Sequence, residues 1–101
     1  MTTIAHQLQL VHQRMAQACV QAARPAHSVA LLAVSKTFPA QAVLEAAQAG
    51  QRAFGENYLQ EGVDKIASVQ ALAPALAAQL QWHCIGPIQS NKTRLVAEHF
   101  H

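Results

Sequence analysis

The sequence predicts an α/β fold in which one helix is followed by three strand-helix units. Three observations support this prediction. An amphipathic stretch opens the chain, short segments of strand length follow at 28–35, 52–57 and 81–86, and a stretch with helical spacing follows each segment. Because alternating strands and helices join through right-handed crossovers, we expect the three strands to lie parallel in one sheet.

The first helix is predicted over residues 2–23. Apolar side chains recur there at steps of three and four residues on one face: Ile4, Leu8, Val11, Met15 and Ala18 or Cys19. Glutamines occupy much of the other face, and Pro25 is expected to end the segment. The pattern is too short for a coiled coil, so it indicates ordinary packing.

The apolar run at 28–35 has no polar alternation, which is typical of a strand buried on both faces. Pro39 suits the first turn of the helix that follows, and Gly50 suits its C-terminal stop. Its buried face is expected to carry three residues, namely Val43, Leu44 and Ala47. The sequence therefore predicts a first complete strand-helix unit between about residues 28 and 49.

Two further units contain the second and third strand segments. A helix is predicted from near Tyr58 to about Val69 or beyond, and the alanine-rich stretch around Pro74 is either a broken continuation or a loop. Ser90 is expected to cap a last helix from about Asn91 to His99.

Composition excludes several classes of protein. Hydrophobic residues make up 51% of the chain and charged residues 12%, a balance that favours a packed globular protein over disorder. The net charge is only +2 and the basic residues are scattered, so we expect no nucleic-acid partner. Neither a signal peptide nor a membrane-spanning run is visible, and Cys19 and Cys84 form no CxxC pair. These features predict a cytoplasmic protein that does not contact membranes.

Lys36 is the first candidate for chemistry. In parallel α/β sheets functional groups collect at the carboxyl ends of strands, and Lys36 lies at such an end. Strand alternation places it on the face of Leu32 and Val34, where burial of its charge would be costly. A neutral lysine amine attacks an aldehyde carbon to form a Schiff base. A solvated lysine at a strand end is the alternative, and spacing alone favours it.

Asn57 and His83 are the other candidates. Asn57 follows Gly55, which would let a ligand approach the backbone closely, and an amide can orient a ring oxygen or a phosphate. An N-cap for the following helix is the alternative for Asn57, and both roles can hold at once. His83 adjoins Cys84, but neighbouring strand residues point to opposite faces and cannot chelate one ion together. We therefore expect no metal site, and a core or ring-stacking role for His83.

Three motifs at these positions resemble one protein family. They are Leu-Leu-Ala-Val-Ser-Lys-Thr at 31–37, Phe-Gly-Glu-Asn-Tyr-Leu-Gln-Glu at 54–61, and Trp-His-Cys-Ile-Gly-Pro-Ile-Gln-Ser-Asn-Lys at 82–92. In this order and spacing they resemble the pyridoxal phosphate homeostasis protein family, which has the fold of the alanine racemase N-terminal barrel. The resemblance implies that the fold is a partial (β/α)₈ TIM barrel, made of an N-terminal helix and about three parallel βα units.

The resemblance also implies a cofactor and a function. Lys36 would hold pyridoxal 5'-phosphate as a Schiff base, and Asn57 and His83 match family residues near the cofactor ring. Val34, on the face of Lys36, is counted with the cofactor-binding residues. Family members are regarded as carriers or regulators in pyridoxal phosphate (vitamin B6) and amino-acid homeostasis without established turnover, so we expect no enzyme.

The length of the chain departs from the family. A complete barrel needs roughly 250 residues. We therefore expect residues 1–101 to be a single partial domain, a fragment from the N-terminal part of the barrel. The family's phosphate-binding loops, and the arginine that faces the pyridine nitrogen, lie in the C-terminal half. The fragment is thus expected to bind pyridoxal phosphate weakly or not at all, and to self-associate through an exposed sheet edge and face.

Two other functions stay open at this point. One is an amino-acid racemase on the same barrel, which would need a second acid/base group opposite the lysine. The other is a non-catalytic interaction module that uses the exposed apolar face of the sheet.

Overall fold

The computed structural model describes residues 3–101, and within them it has five α-helices and three β-strands. In chain order these are α1 (Ile4–Gln21), β1 (Ala33–Val34), α2 (Ala40–Gln48), β2 (Ala53–Glu56), α3 (Leu59–Leu72), α4 (Pro74–Ala77), β3 (Gln81–Cys84) and α5 (Thr93–His99). A 3₁₀ turn at Ser90–Lys92 precedes α5. The order is the predicted one, a helix followed by three strand-helix units.

The three strands form one parallel sheet in the order β1-β2-β3. In register, Ala33 pairs with Phe54, which pairs with Trp82 on β3. Neighbours in sequence are thus neighbours in the sheet, which is the common arrangement of consecutive strands. The predicted α/β class with parallel strands is confirmed.

Internal contacts divide the chain into two compact units, Met1–Leu31 and Leu32–His101. The first contains α1, whose less exposed positions include the predicted Ile4, Leu8 and Met15 and whose Cys19 is buried. The predicted start at residue 2 lies outside the described residues. That all 101 residues belong to a single partial domain stays a prediction.

Helix α1 ends earlier than Pro25. Ala23 adopts a left-handed conformation with φ of 55°, and Arg24 N donates to Cys19 O at 2.8 Å. This bond closes the last turn in the way that helices commonly end. The helix therefore stops at Gln21 without needing the proline as a breaker.

The strand predicted over 28–35 is much shorter in the structure. Strand β1 is limited to Ala33 and Val34, which are in register with Phe54 and Gly55 of β2. Ser28 folds back in a turn in which its backbone N–H and hydroxyl both donate to Pro25 O. The prediction of burial on both faces is also wrong, since Val34 is 50% exposed. A continuous apolar run indicates cover on both sides of a strand, but it cannot show how many of its residues have a pairing partner.

The core of the second unit lies between the sheet and its helices. The rings of Phe54 and Trp82 pack with centroids 5.5 Å apart, and both side chains are buried. Helix α2 adds Val43, Leu44 and Ala47, the three residues predicted for its buried face. Gly50, with φ of 109°, follows the end of α2 as predicted, whereas Pro39 stands at the N-cap just before the first turn.

The last helix starts later than predicted. The predicted cap residue, Ser90, instead begins the 3₁₀ turn, and its carbonyl accepts a hydrogen bond from Thr93 Oγ1 at 3.1 Å. Helix α5 then begins at Thr93 without a side-chain cap. Between residues 3 and 101, no helix combines the length and apolarity needed to cross a bilayer.

Candidate functional site

The sheet of the second unit has two chemically different faces. Side chains on the face toward the helices are buried or half-buried: Ser35, Phe54, Glu56, Trp82 and Cys84. The opposite face, here called the open face, carries Leu32, Val34, Gly55, His83 and Ile85. Large apolar side chains there are partly exposed, Val34 by 50% and Ile85 by 43%. The open face is therefore where the sheet can contact a ligand or another chain.

All four predicted site residues map to the open face or its carboxyl edge. Val34 and His83 are in register with Gly55, which lies between them on β2. Asn57 follows the last residue of β2, and Lys36 lies just beyond β1 in the turn that begins at Ser35, so both stand at the carboxyl edge of the sheet. Lys36 is exposed, and Asn57 and His83 are half-buried. His83 and its neighbour Cys84 occupy opposite faces, and across residues 3–101 no three His, Cys, Asp or Glu side chains come together as metal ligands.

The amide oxygen of Asn57 is the notable polar atom of this edge. Asn57 Oδ1 is buried and has no hydrogen-bond partner among the described residues. The N-cap alternative for Asn57 is wrong, because Tyr58 holds that position and no side-chain cap bond forms. An unpaired buried acceptor is destabilising by about 1–3 kcal/mol, so a ligand hydroxyl or N–H placed against it would relieve that cost. This oxygen is therefore a candidate acceptor for a hydrogen bond from a ligand.

Two glycines shape the same region. A Cβ at Gly55 would lie 3.1 Å from Ile85 and 3.5 Å from Leu32, so these side chains lean over the strand and the expected open approach to its backbone is filled. A Cβ at Gly86 would lie 2.7 Å from Asn57 Cβ and 2.9 Å from its carbonyl oxygen. Gly86 thus allows the loop after β3 to rest directly against Asn57.

A buried charged cluster lies on the helix side of the same edge. We call it the Lys65 cluster, and its members are Ser35, Glu56, Glu61 and Lys65. Lys65 Nζ lies 2.9 and 3.1 Å from the two carboxylate oxygens of Glu56 and 2.6 Å from Ser35 O. The Ser35 hydroxyl also donates to Glu56. Glu56 is 1% exposed and Lys65 6%, so this ion pair is almost fully removed from water.

Helix α3 brings Lys65 to the sheet because Gly62 permits a close approach. A Cβ at Gly62 would lie 3.2 Å from Glu56 Cβ and 3.1 Å from the ring of Phe100. Glu61 precedes Lys65 by four residues, so both project from one side of the helix, and their charged atoms lie 3.5 Å apart. One helix therefore supplies both the cation that neutralises Glu56 and a second carboxylate beside it.

The Lys65 cluster holds the turn that carries Lys36. Phe38 N donates to Ser35 O at 3.1 Å, which closes a turn with Lys36 and Thr37 in its centre. Thr37 has φ of 66°, a left-handed conformation that strains a β-branched residue and is more usual for glycine. Its N–H donates to Glu61 Oε2 at 2.9 Å. Such strain costs of order 1–3 kcal/mol and persists only where surrounding contacts impose it.

The same hydrogen bond affects the acidity of Glu61. The N–H of Thr37 is the main cause that lowers the pKa of Glu61 below its ordinary value of 4.5, and the nearby ammonium of Lys65 lowers this pKa further. Desolvation acts in the opposite direction and is the smaller effect. Glu61 is therefore held as an anion facing the backbone of the turn.

Sequence reasoning missed this cluster. Glu56 sits one residue after Gly55 in an apolar strand, so alternation puts it on the face of Phe54, where a carboxylate needs a cation. Lys65 follows nine residues later and is preceded by Glu61 at helical spacing. The charge of Glu56 on the buried side of its strand was the sequence signal that could have revealed the cluster.

We expect Lys65→Met to lower the free energy of unfolding by about 3–5 kcal/mol, because Glu56 would be left buried without its cation. Urea denaturation of the chain measures this. The double variant Glu56→Leu with Lys65→Met should recover most of the loss, since no uncompensated charge remains. Arg94→Met is the matched control, as it breaks the Arg94–Glu98 pair whose side chains are 91% and 51% exposed. It should change stability by less than about 1 kcal/mol, and an equal loss in the two single variants would contradict the role given to burial.

The contribution of Glu61 should depend on pH. A carboxyl whose pKa is lowered by folding adds stability above its unfolded pKa, and this is lost as the pH falls through the folded value. The stability difference between the wild-type chain and Glu61→Gln should be constant near neutral pH and disappear in acid. Urea denaturation across the acidic range tests this, with Glu98→Gln as the control for removal of one exposed carboxylate. A difference that persists below the folded pKa would contradict it.

Comparison with known proteins identifies relatives along nearly the whole chain, although no protein-family model matches it. The chain is 55% identical over 100 residues to the pyridoxal phosphate homeostasis protein of Escherichia coli strain K12, and 99% of the chain and 42% of that protein are covered. The protein of the same name from Haemophilus influenzae is 56% identical over 97 residues, with 96% and 39% covered. The chain thus spans about two fifths of the length of these curated relatives.

Solved structures agree. PipY of Synechococcus elongatus, described as a COG0325 family member, was solved without and with pyridoxal phosphate bound, and the chain matches both forms with a TM-score of 0.66 and 45% identity. The match covers 88% and 85% of the chain and 38% and 39% of the two PipY chains. A crystal structure from Bifidobacterium adolescentis matches with a TM-score of 0.86 at 34% identity, over 96% of the chain and 42% of that structure. Over the part of these proteins that it spans, the chain belongs to the pyridoxal phosphate homeostasis protein family.

Proposed function

We propose that the full-length protein binds pyridoxal 5'-phosphate as a Schiff base on Lys36 and serves intracellular pyridoxal phosphate (vitamin B6) and amino-acid homeostasis. The observation that carries this proposal is the PipY structure with pyridoxal phosphate bound, which shares 45% of its sequence with the chain over the matched region. The names of the curated relatives support the homeostasis role. A cytoplasmic location is part of the same proposal.

The residues of the chain fit the reactive part of this cofactor. The exposed amine of Lys36 lies at the carboxyl edge, where its nitrogen can bond to the aldehyde carbon while water leaves. Asn57 Oδ1 offers an unused acceptor to the ring, and His83 and Val34 line the same face. When bound, the cofactor supplies an electrophilic aldehyde and an electron-poor ring.

We propose a carrier or regulator rather than an enzyme. The curated relatives are named for homeostasis of the cofactor and none of the names states a reaction. A racemase would need a second acid/base group opposite the lysine. Racemisation of alanine by the full-length protein would contradict the carrier role.

We expect borohydride to trap pyridoxal phosphate on Lys36 of the full-length protein, because reduction converts the C=N bond into a stable amine. Peptide mass mapping locates the label. Lys36→Arg should abolish it, whereas Lys92→Arg, which changes another exposed lysine, should leave it intact. Trapping that is equally frequent at Lys36 and Lys92 would contradict the proposed site.

The 101-residue chain by itself should be labelled weakly in the same experiment. The family resemblance assigns phosphate binding to loops beyond the matched region, and Lys36 of the chain is exposed to water. Efficient and selective labelling of Lys36 in the chain would contradict this expectation.

We also propose that the chain self-associates through its open face. Leu32, Val34 and Ile85 present partly exposed apolar surface there. The outer edge of β3 contributes less, because the N–H and C=O of Trp82 are already bonded to His101 at 2.9 and 2.7 Å. Association is therefore expected to depend on the face of the sheet more than on that edge.

Sedimentation of the chain tests the association. The wild-type chain should sediment as a dimer or larger species, and Ile85→Glu should shift it to monomer because a charge would be buried in the contact. Leu72→Glu is the matched control, since Leu72 is an exposed leucine at the end of α3, away from the open face. A monomeric wild-type chain would contradict the proposal.

A further inference from the structure

The two residues that flank Lys36 are both bonded to side chains of helix α3. Before it, Ser35 O accepts from Lys65 Nζ at 2.6 Å. After it, Thr37 N donates to Glu61 Oε2 at 2.9 Å. The amine of Lys36 thus extends from a backbone segment that is bracketed by one ammonium and one carboxylate.

The positions of Lys65 and Glu61 are themselves fixed by buried contacts. Lys65 Nζ reaches Glu61 Oε2 at 3.5 Å while it is bound to both oxygens of the buried Glu56. A lysine that is 6% exposed and has its donors committed in this way cannot easily change its position. It therefore provides a rigid base from which Glu61 can hold the turn.

The conformation of Thr37 needs such a restraint. Among the described residues only Ala23 and Thr37 combine a side chain with positive φ. The conformation of Ala23 belongs to the end of α1, where a left-handed residue is common. Thr37 stands at the third position of the Ser35–Phe38 turn, where a positive φ closes the turn but is usually supplied by glycine or asparagine. Its hydroxyl donates within the turn to Lys36 O, and the hydrogen bond from its N–H to Glu61 is the contact from outside the turn that holds this conformation.

We propose that Glu61 is a positioning residue for Lys36, whose carboxylate holds the Thr37 amide and so directs the lysine amine toward the open face. This proposal rests on the proposed function and adds a residue to it. This role requires no contact between Glu61 and the cofactor. It acts through the backbone of the turn, with Lys65 as its support.

Glu61 is a better residue to test than Lys65. Its side chain is 37% exposed, so its replacement leaves no buried unpaired charge, unlike a change at Lys65 or Glu56. Glu61→Ala removes the acceptor, and Glu61→Gln keeps an acceptor oxygen without the charge. Glu98→Ala is the matched control, because Glu98 pairs with Arg94 four residues away on an exposed helix surface.

The experiment measures the affinity of the full-length protein for pyridoxal phosphate by absorbance titration, well below the unfolding midpoint of each variant. Glu61→Ala should weaken binding roughly three- to tenfold, because the amine loses its orientation. Glu61→Gln should restore at least half of that loss, and Glu98→Ala should bind as the wild type does. Amide exchange at Thr37 should quicken in Glu61→Ala and stay slow in Glu98→Ala.

Two results would overturn the positioning role. The first is unchanged affinity in Glu61→Ala, and if amide exchange at Thr37 is then faster, the bond only stabilises the fold. The second is a loss of affinity that Glu61→Gln does not restore. The proposed function is tested separately. It is contradicted if the wild-type protein does not bind pyridoxal phosphate at Lys36.

Discussion

The buried ion pair between Lys65 and Glu56 is the interaction on which the geometry of the candidate site depends. Two charges in so dry a position have lost most of their hydration, and their attraction offsets that cost only when further hydrogen bonds complete the arrangement. Ser35 provides those bonds, through its hydroxyl to Glu56 and its carbonyl to Lys65. The arrangement exists only when β1, β2 and α3 are all in place, so the pair ties the end of β1 to the helix behind it.

The two faces of the sheet therefore differ in role. Side chains on the helix side stabilise the fold, and side chains on the open side are available for contacts. On the helix side, aromatic packing of Phe54 against Trp82 and the Lys65 cluster set the strand positions. On the open side, Val34 and His83 are accessible to different degrees, and Lys36 is exposed at the carboxyl edge. Parallel sheets commonly place function at the carboxyl ends of strands because the loops there are free to vary while the strands are held. In this chain the turn that carries Lys36 is bonded to the Lys65 cluster on the helix side.

Much of the fold could be predicted from periodicity, since the order of elements and the parallel sheet follow from alternating apolar runs and helical stripes. The buried face of α2 was readable because Val43, Leu44 and Ala47 repeat at helical spacing. The true extent of β1 could not be predicted, because pairing depends on where β2 lies. Leu31 and Leu32 look the same in the sequence whether or not they belong to a strand. The prediction of an N-cap at Ser90 is wrong for a related reason. A 3₁₀ turn competes with the first turn of a helix, and the local sequence does not distinguish them.

The candidate site was predictable in part. Strand alternation and strand ends are local rules, so the sequence could place Lys36 with Leu32 and Val34 and put Asn57 at the end of the next strand. That these residues bind a cofactor stays a prediction. The unpaired oxygen of Asn57 and the bond between Thr37 and Glu61 could not, because both depend on how separate segments pack. Glu56 was the strongest sequence signal for a buried charged cluster, because a carboxylate on a buried face requires a partner that only the tertiary structure supplies.

The contact between Gly86 and Asn57 has a consequence for how this region can change in evolution. With only 2.9 Å between the Asn57 carbonyl and the place of a Cβ, no residue larger than glycine enters position 86 unless the end of β2 moves. The loop after β3 and Asn57 therefore cannot change conformation independently. If Asn57 has the cofactor-binding role proposed for it, a substitution at position 86 would alter ligand affinity without touching the ligand.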